Sequence, residues 1–81
     1  MDIKIRSQAR GILVDCTNKD IKLGGKLNEL NQVVASDFSG VISLGTYKDM
    51  EEATKIIDFI QEAIENGFKE KKTGLIIIMP E

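Results

Sequence analysis

Basic side chains of this sequence could form a binding site. They fall into one cluster near the start of the chain and one just before the last apolar run: Lys4, Arg6, Arg10, Lys69, Lys71 and Lys72. If the fold brings the clusters together, they form a candidate anion-binding patch for a nucleotide or a nucleic acid. Aromatic residues that could stack on bases do not alternate with either cluster, and charged residues at a solvated edge give the same pattern. Both interpretations stay open.

Catalytic and metal-binding residues are not indicated. The sequence has no histidine and one cysteine, Cys16, which alternates with Ile12 and Val14 and is therefore expected in the core. One thiol without histidine does not provide a zinc site of the usual kind, nor a nucleophile with a neighbouring base. We predict a protein that is not an enzyme, with no catalytic residue, no metal ligand and no cofactor.

Length and composition limit the class of protein. Eighty-one residues predict a single domain over residues 1–81. A chain of this size without disulfides has a small core, and such chains often gain stability by forming homo-oligomers. The opening residues alternate apolar and charged side chains, unlike a signal peptide or a membrane anchor, and the lone cysteine fits a reducing compartment. We expect a cytoplasmic protein with no membrane segment.

Hydrophobic periodicity predicts the secondary structure. Apolar residues alternate with polar ones in several short runs, which predicts strands at residues 2–7, 11–17, 21–25, 32–36 and 41–47. Residues 49–66 instead repeat apolar side chains at helical spacing, after Asp49 as an N-cap and Glu52 at the capping-box position. Asn66 and Gly67 are typical of a helix C-terminus. The expected fold is α+β, an antiparallel sheet of five to six strands with one long amphipathic helix before the last strand.

The apolar run at residues 75–79 predicts that last strand, closed by Pro80. Its alternate residues can face the helix, but Ile76 and Ile78 then need cover on the other face of the sheet. Phe59 lies off the apolar stripe of the helix, where it either widens the core or contacts a partner. We therefore take Phe59, Ile76 and Ile78 as candidate interface residues.

Three segments carry a family resemblance. They read KIRSQ near the start, LGTYKDMEEATKIIDFIQEAI in the middle and IIMPE at the end, and their shared positions are Leu44, Gly45, Tyr47, Glu52, Ala53 and Met79 to Glu81. About half of the chain thus resembles a group of small proteins common in phages and prophages of low-GC Gram-positive bacteria. The resemblance implies a mobile-element origin. It brings no assigned activity and no functional residue.

Three functional hypotheses follow. The first is a non-catalytic binding protein, homo-oligomeric and of phage or prophage type, that engages a host or phage protein. The second is an oligomer that sequesters a nucleotide signal in a basic pocket between subunits, using residues such as Arg6, Arg10 or Lys72. The third is nucleic-acid binding, which the net charge of −2 disfavours.

Overall fold

Six strands and one helix are present in the computed structural model, which describes residues 1–81. In chain order they are β1 (Asp2–Arg6), β2 (Leu13–Asp15), β3 (Asp20–Leu27), β4 (Leu30–Asp37), β5 (Gly40–Tyr47), α1 (Met50–Lys69) and β6 (Gly74–Ile78). The expected α+β class, with one long helix before the last strand, is confirmed. No helix of the chain has the length and apolar character needed to cross a membrane.

The strands form two sheets of three, where the sequence predicted a single sheet. The first sheet has the order β2-β1-β6 and the second the order β3-β4-β5. Only the second is antiparallel throughout, because β6 pairs with β1 in parallel. Parallel strands need a long crossover connection, and here the whole second sheet and α1 lie between β1 and β6. Alternation along single strands does not reveal this division.

The second sheet is a meander with a tight first hairpin. Asn28 and Glu29 join β3 to β4 with φ angles of 51° and 67°, which fits a two-residue hairpin turn. We expected a loop there and a strand from residue 32, but β4 begins at Leu30. The Gly24–Gly25 pair does not end β3. It lies within the strand, where the register with β4 shifts between Leu23 and Lys26.

The ends of α1 differ from those predicted. The Asp49 side chain makes no capping hydrogen bond, so the capping box does not form. The helix also continues through Gly67 to Lys69. Gly67 is buried, and a Cβ atom there would lie 3.1 Å from Met1 Sδ and 3.6 Å from Leu75 Cδ2. This glycine therefore allows the helix to approach the first sheet closely and does not end it.

The core lies between α1 and the inner faces of both sheets. Its buried residues lie in α1 and in every strand except β3, or directly follow β2 or β6: Ile3, Ile5, Val14, Cys16, Val33, Ala35, Leu44, Tyr47, Ala53, Ile60, Ile77 and Met79. Cys16 is one of them, and its burial raises the pKa of the thiol. The inner face of β6 thus belongs to the core, as predicted, whereas its outer face does not.

Candidate protein-binding edge

Strand β6 has one paired edge and one free edge. Asp2 N–H donates to the Thr73 carbonyl at 3.0 Å, and Met79 N–H donates to the Arg6 carbonyl at 3.1 Å. Between these two bonds, the backbone N–H and C=O groups of Leu75 and Ile77 therefore also point towards β1. The backbone N–H and C=O groups of Gly74, Ile76 and Ile78 point to the opposite side, where the sheet ends.

The same residues expose apolar side chains. Ile76 is 64% exposed and Ile78 is 49% exposed, although both lie in a regular strand. Their register partners on β1 are Lys4 and Arg6. Leu13 of β2 is opposite Arg6 and adds a third exposed apolar side chain. We call this surface, together with the free backbone edge of β6, the β6 edge.

The other sheet edges are protected. Strand β2 has only three residues. Strand β3 carries Lys22 and Lys26 and has an irregular register, and both features discourage pairing with another chain. The free side of β5 is covered by Gln8 at Leu44 and Thr46, and the Gln8 backbone N–H donates to the Leu44 carbonyl at 2.7 Å. Strand β6 is uncharged over its whole length, and none of these features protects its free edge.

The structure brings the two basic clusters together only in part. Lys4 and Lys72 line one open cavity of about 520 Å³, beside Gly74 and Ile76. Asp2 lines it as well, and Lys72 Nζ is 3.2 Å from a carboxylate oxygen of Glu70. Negative charge therefore accompanies both lysines.

The remaining predicted anion-binding residues lie elsewhere. Arg6 pairs with Ile78 at the far end of β1, and Arg10 Nη2 is 3.8 Å from a carboxylate oxygen of Glu81. Lys69 ends α1, and Lys71 follows in the connecting turn. None of these four lines the cavity that contains Lys4 and Lys72.

Phe59 is separated from the two predicted interface isoleucines. It is 44% exposed on α1 and lines a shallow cavity of about 240 Å³ with Glu62, Ala63 and Asn66. That cavity contains no residue of β6. The role of Phe59 stays a prediction, and it does not form one surface with Ile76 and Ile78.

Sequence reasoning missed Gln8 as the residue that covers β5, and Tyr47 as the residue that holds the segment after β6. Gln8 joins the first sheet to β5, and the Tyr47 hydroxyl donates to the Pro80 carbonyl at 2.7 Å. The Pro80 bond holds the segment after β6 in place, which keeps the strand extended along β1. Neither contact has a local sequence signature, because each joins segments that are distant in the chain, although Tyr47 is one of the positions shared in the family resemblance.

Neither a metal-binding cluster nor a similar protein adds to the description of this site. No three histidine, cysteine, aspartate or glutamate side chains are grouped in a way that could hold a metal ion. No family model, curated protein or solved structure matches the chain.

Proposed function

We propose that this protein is a non-catalytic binding protein of phage or prophage type that engages a host or phage protein and forms homo-oligomers. The β6 edge is its binding surface. An extended protein segment, from a partner or from a second copy of the chain, adds to β6 as a further strand, through backbone hydrogen bonds and contacts with Ile76 and Ile78. This mode of recognition draws affinity from the backbone and selectivity from the alternating side chains.

The unprotected edge of β6 is the observation that carries this proposal. An uncharged strand with exposed isoleucines and unpaired backbone groups is a template for another strand.

The buried thiol of Cys16 supports the non-catalytic part of the proposal, because burial raises the pKa of the thiol and disfavours the reactive thiolate. The phage or prophage origin is supported only by the segments that resemble such proteins.

Binding of a labelled strand peptide tests the proposal. The probe is a fluorescent peptide that repeats residues 71–81, and fluorescence anisotropy is measured at protein concentrations where the chain is monomeric. We expect the wild type to bind the peptide and Ile76→Lys to lose binding at least roughly tenfold, since it places a charge within the apolar contact. Ile76 is exposed, so this substitution is compatible with folding.

Val41→Lys is the matched control. Val41 is 63% exposed on β5, and its substitution introduces the same charge at a similarly exposed strand position outside the β6 edge. The control should bind the peptide as the wild type does. Absence of binding to the wild type, or equal binding to Ile76→Lys, would contradict the proposed function.

A nucleotide-sequestering oligomer is the alternative, and one observation favours it. Lys4 and Lys72 come from different basic clusters and line the same cavity. Native mass spectrometry of protein purified from cells would show a retained nucleotide as an added mass. Lys72→Met should then release it, whereas loss of Lys69, which does not line the cavity, should not.

A further inference from the structure

Strand β6 is centred on Ile76, with one outward-facing residue on each side of it. We propose that the partner of this strand is β6 of a second copy of the chain, paired antiparallel across a two-fold axis at Ile76. The inference rests on the proposed function, because it identifies the occupant of the same edge. It follows from backbone direction, register and charge.

Backbone direction makes the strand complementary to itself. In an antiparallel pair, hydrogen bonds form between residues whose N–H and C=O groups face each other. An axis at Ile76 places Ile76 opposite Ile76 of the second copy. It also places Gly74 of each copy opposite Ile78 of the other, which gives three pairs. Each of these pairs exchanges two bonds, so about six bonds satisfy all the outward groups of both strands.

Neighbouring registers are less favourable. A shift of two residues in one direction places Gly74 opposite Pro80, which has no N–H group and whose carbonyl already accepts a bond from Tyr47. The shift in the other direction moves Ile78 opposite Lys72, which lies outside the strand. The register centred on Ile76 therefore uses the complete strand.

Side-chain packing agrees with this register. Residues directly opposite each other in an antiparallel pair have Cβ atoms about 4.5–5.5 Å apart, so the two Ile76 side chains would be in contact. Each Ile78 would cover Gly74 of the other copy, where no side chain competes for space. The two exposed isoleucines of β6 gain apolar neighbours in a continuous six-stranded sheet of order β2-β1-β6-β6-β1-β2.

Charge favours the antiparallel direction. The segment before β6 has a net positive charge, with Lys69, Lys71 and Lys72 against the single acid Glu70, whereas Glu81 follows the strand. Antiparallel pairing brings the acidic end of each copy towards the basic segment of the other. Parallel pairing would instead place the two lysine-rich segments side by side, at a cost in repulsion.

Charge complementation at position 76 tests the inference. Native mass spectrometry is applied to the wild type, to Ile76→Lys and Ile76→Asp separately, and to their mixture. We expect a wild-type dimer, and we expect each variant alone to be monomeric because like charges face each other across the axis. The mixture should restore dimers, with the mixed species roughly tenfold above either homodimer.

Position 78 provides the matched control. Ile78→Lys and Ile78→Asp should show no such complementation, because residue 78 faces Gly74 and the two copies of residue 78 lie roughly 13 Å apart along the strands. Hydrogen exchange of the wild type adds a measurement that needs no variant. The amides of Ile76 and Ile78 should become protected as protein concentration rises.

Three outcomes would overturn the inference. They are a monomeric wild type without concentration-dependent protection, a dimer that both Ile76 variants leave intact, and complementation at position 78 in place of 76. Peptide binding that is sensitive to Ile76→Lys would still support the proposed function in each case. If the wild type did not bind the peptide, or if Ile76→Lys bound it equally well, the proposed function itself would be contradicted.

Discussion

Gln8 completes the hydrogen-bond ladder of Thr46 with its side-chain amide. Thr46 N–H donates to Gln8 Oε1 at 2.9 Å, and Gln8 Nε2 donates to the Thr46 carbonyl at 3.1 Å. The amide thus takes the place of a neighbouring strand along β5. Because Gln8 lies two residues after the end of β1, the same contact joins the two sheets.

Replacing Gln8 should therefore destabilise the protein and uncover an edge. We expect Gln8→Ala to lower the free energy of unfolding by about 1–3 kcal/mol, since two backbone groups of Thr46 lose their partners. Urea denaturation followed by circular dichroism measures this change. Gln61→Ala is the control, because Gln61 bonds only to Glu65 on the exposed side of α1. Equal effects of the two substitutions would contradict the role of Gln8.

The Tyr47 hydroxyl should control the segment after β6. Tyr47 is buried and donates to the Pro80 carbonyl, so Tyr47→Phe removes one bond without leaving a cavity. We expect a loss of about 1 kcal/mol in the free energy of unfolding. We also expect faster hydrogen exchange at the Met79 amide, which donates to the Arg6 carbonyl nearby. Unchanged exchange at Met79 would mean that Pro80 is held by other contacts.

Local pattern predicted the elements of this fold better than their assembly. Periodicity located α1 and the final strand, because both have an apolar face that the sequence repeats. The division into two sheets depends on pairing between β1 and β6, and these strands are separated by most of the chain. Nothing within either strand specifies that partner or its direction.

The candidate site shows the same limit. Alternation in residues 75–79 was enough to identify Ile76 and Ile78 as residues in need of cover. The protection of β5 was not predictable, because it depends on Gln8 reaching that strand across the fold. The helix C-terminus was predicted too early for a related reason. Gly67 is required by close packing against Met1 and Leu75, which a local stop signal does not distinguish.

Gly24 should not tolerate a methyl group. A Cβ atom at this position would lie 2.4 Å from Cγ1 of the buried Val34 on the adjacent strand. We expect Gly24→Ala to lower the free energy of unfolding by about 1–3 kcal/mol through overpacking. Gly11→Ala is the matched control, because nothing lies within 4 Å of its Cβ position. If both variants unfold at the same urea concentration, β3 and Val34 do not pack closely enough to exclude a methyl group at position 24.

The Lys19–Asp37 ion pair should make stability depend on pH in the acid range. Lys19 Nζ lies 2.5 Å from Asp37 Oδ2, with the two side chains 20% and 22% exposed. The Lys19 bond, followed by bonds from Ser39, holds the pKa of Asp37 far below its ordinary value of 3.8. Because the folded state binds this proton more weakly than the unfolded state, the pair's contribution is complete above pH 3.8. It is lost as pH falls through the lower pKa of the folded state.

Asp37→Asn should remove that dependence. We expect the difference in unfolding free energy between wild type and variant to be largest near neutral pH and to shrink steadily below pH 3.8. Urea denaturation at a series of pH values measures the difference. Asp58→Asn, which removes the same charge from the exposed side of α1, serves as the control. The prediction would be wrong if the difference for Asp37→Asn stayed constant from neutral to strongly acidic pH. In that case the charge of Asp37 would not contribute to stability, because only an ionised carboxylate with a lowered pKa gives a contribution that is lost in acid.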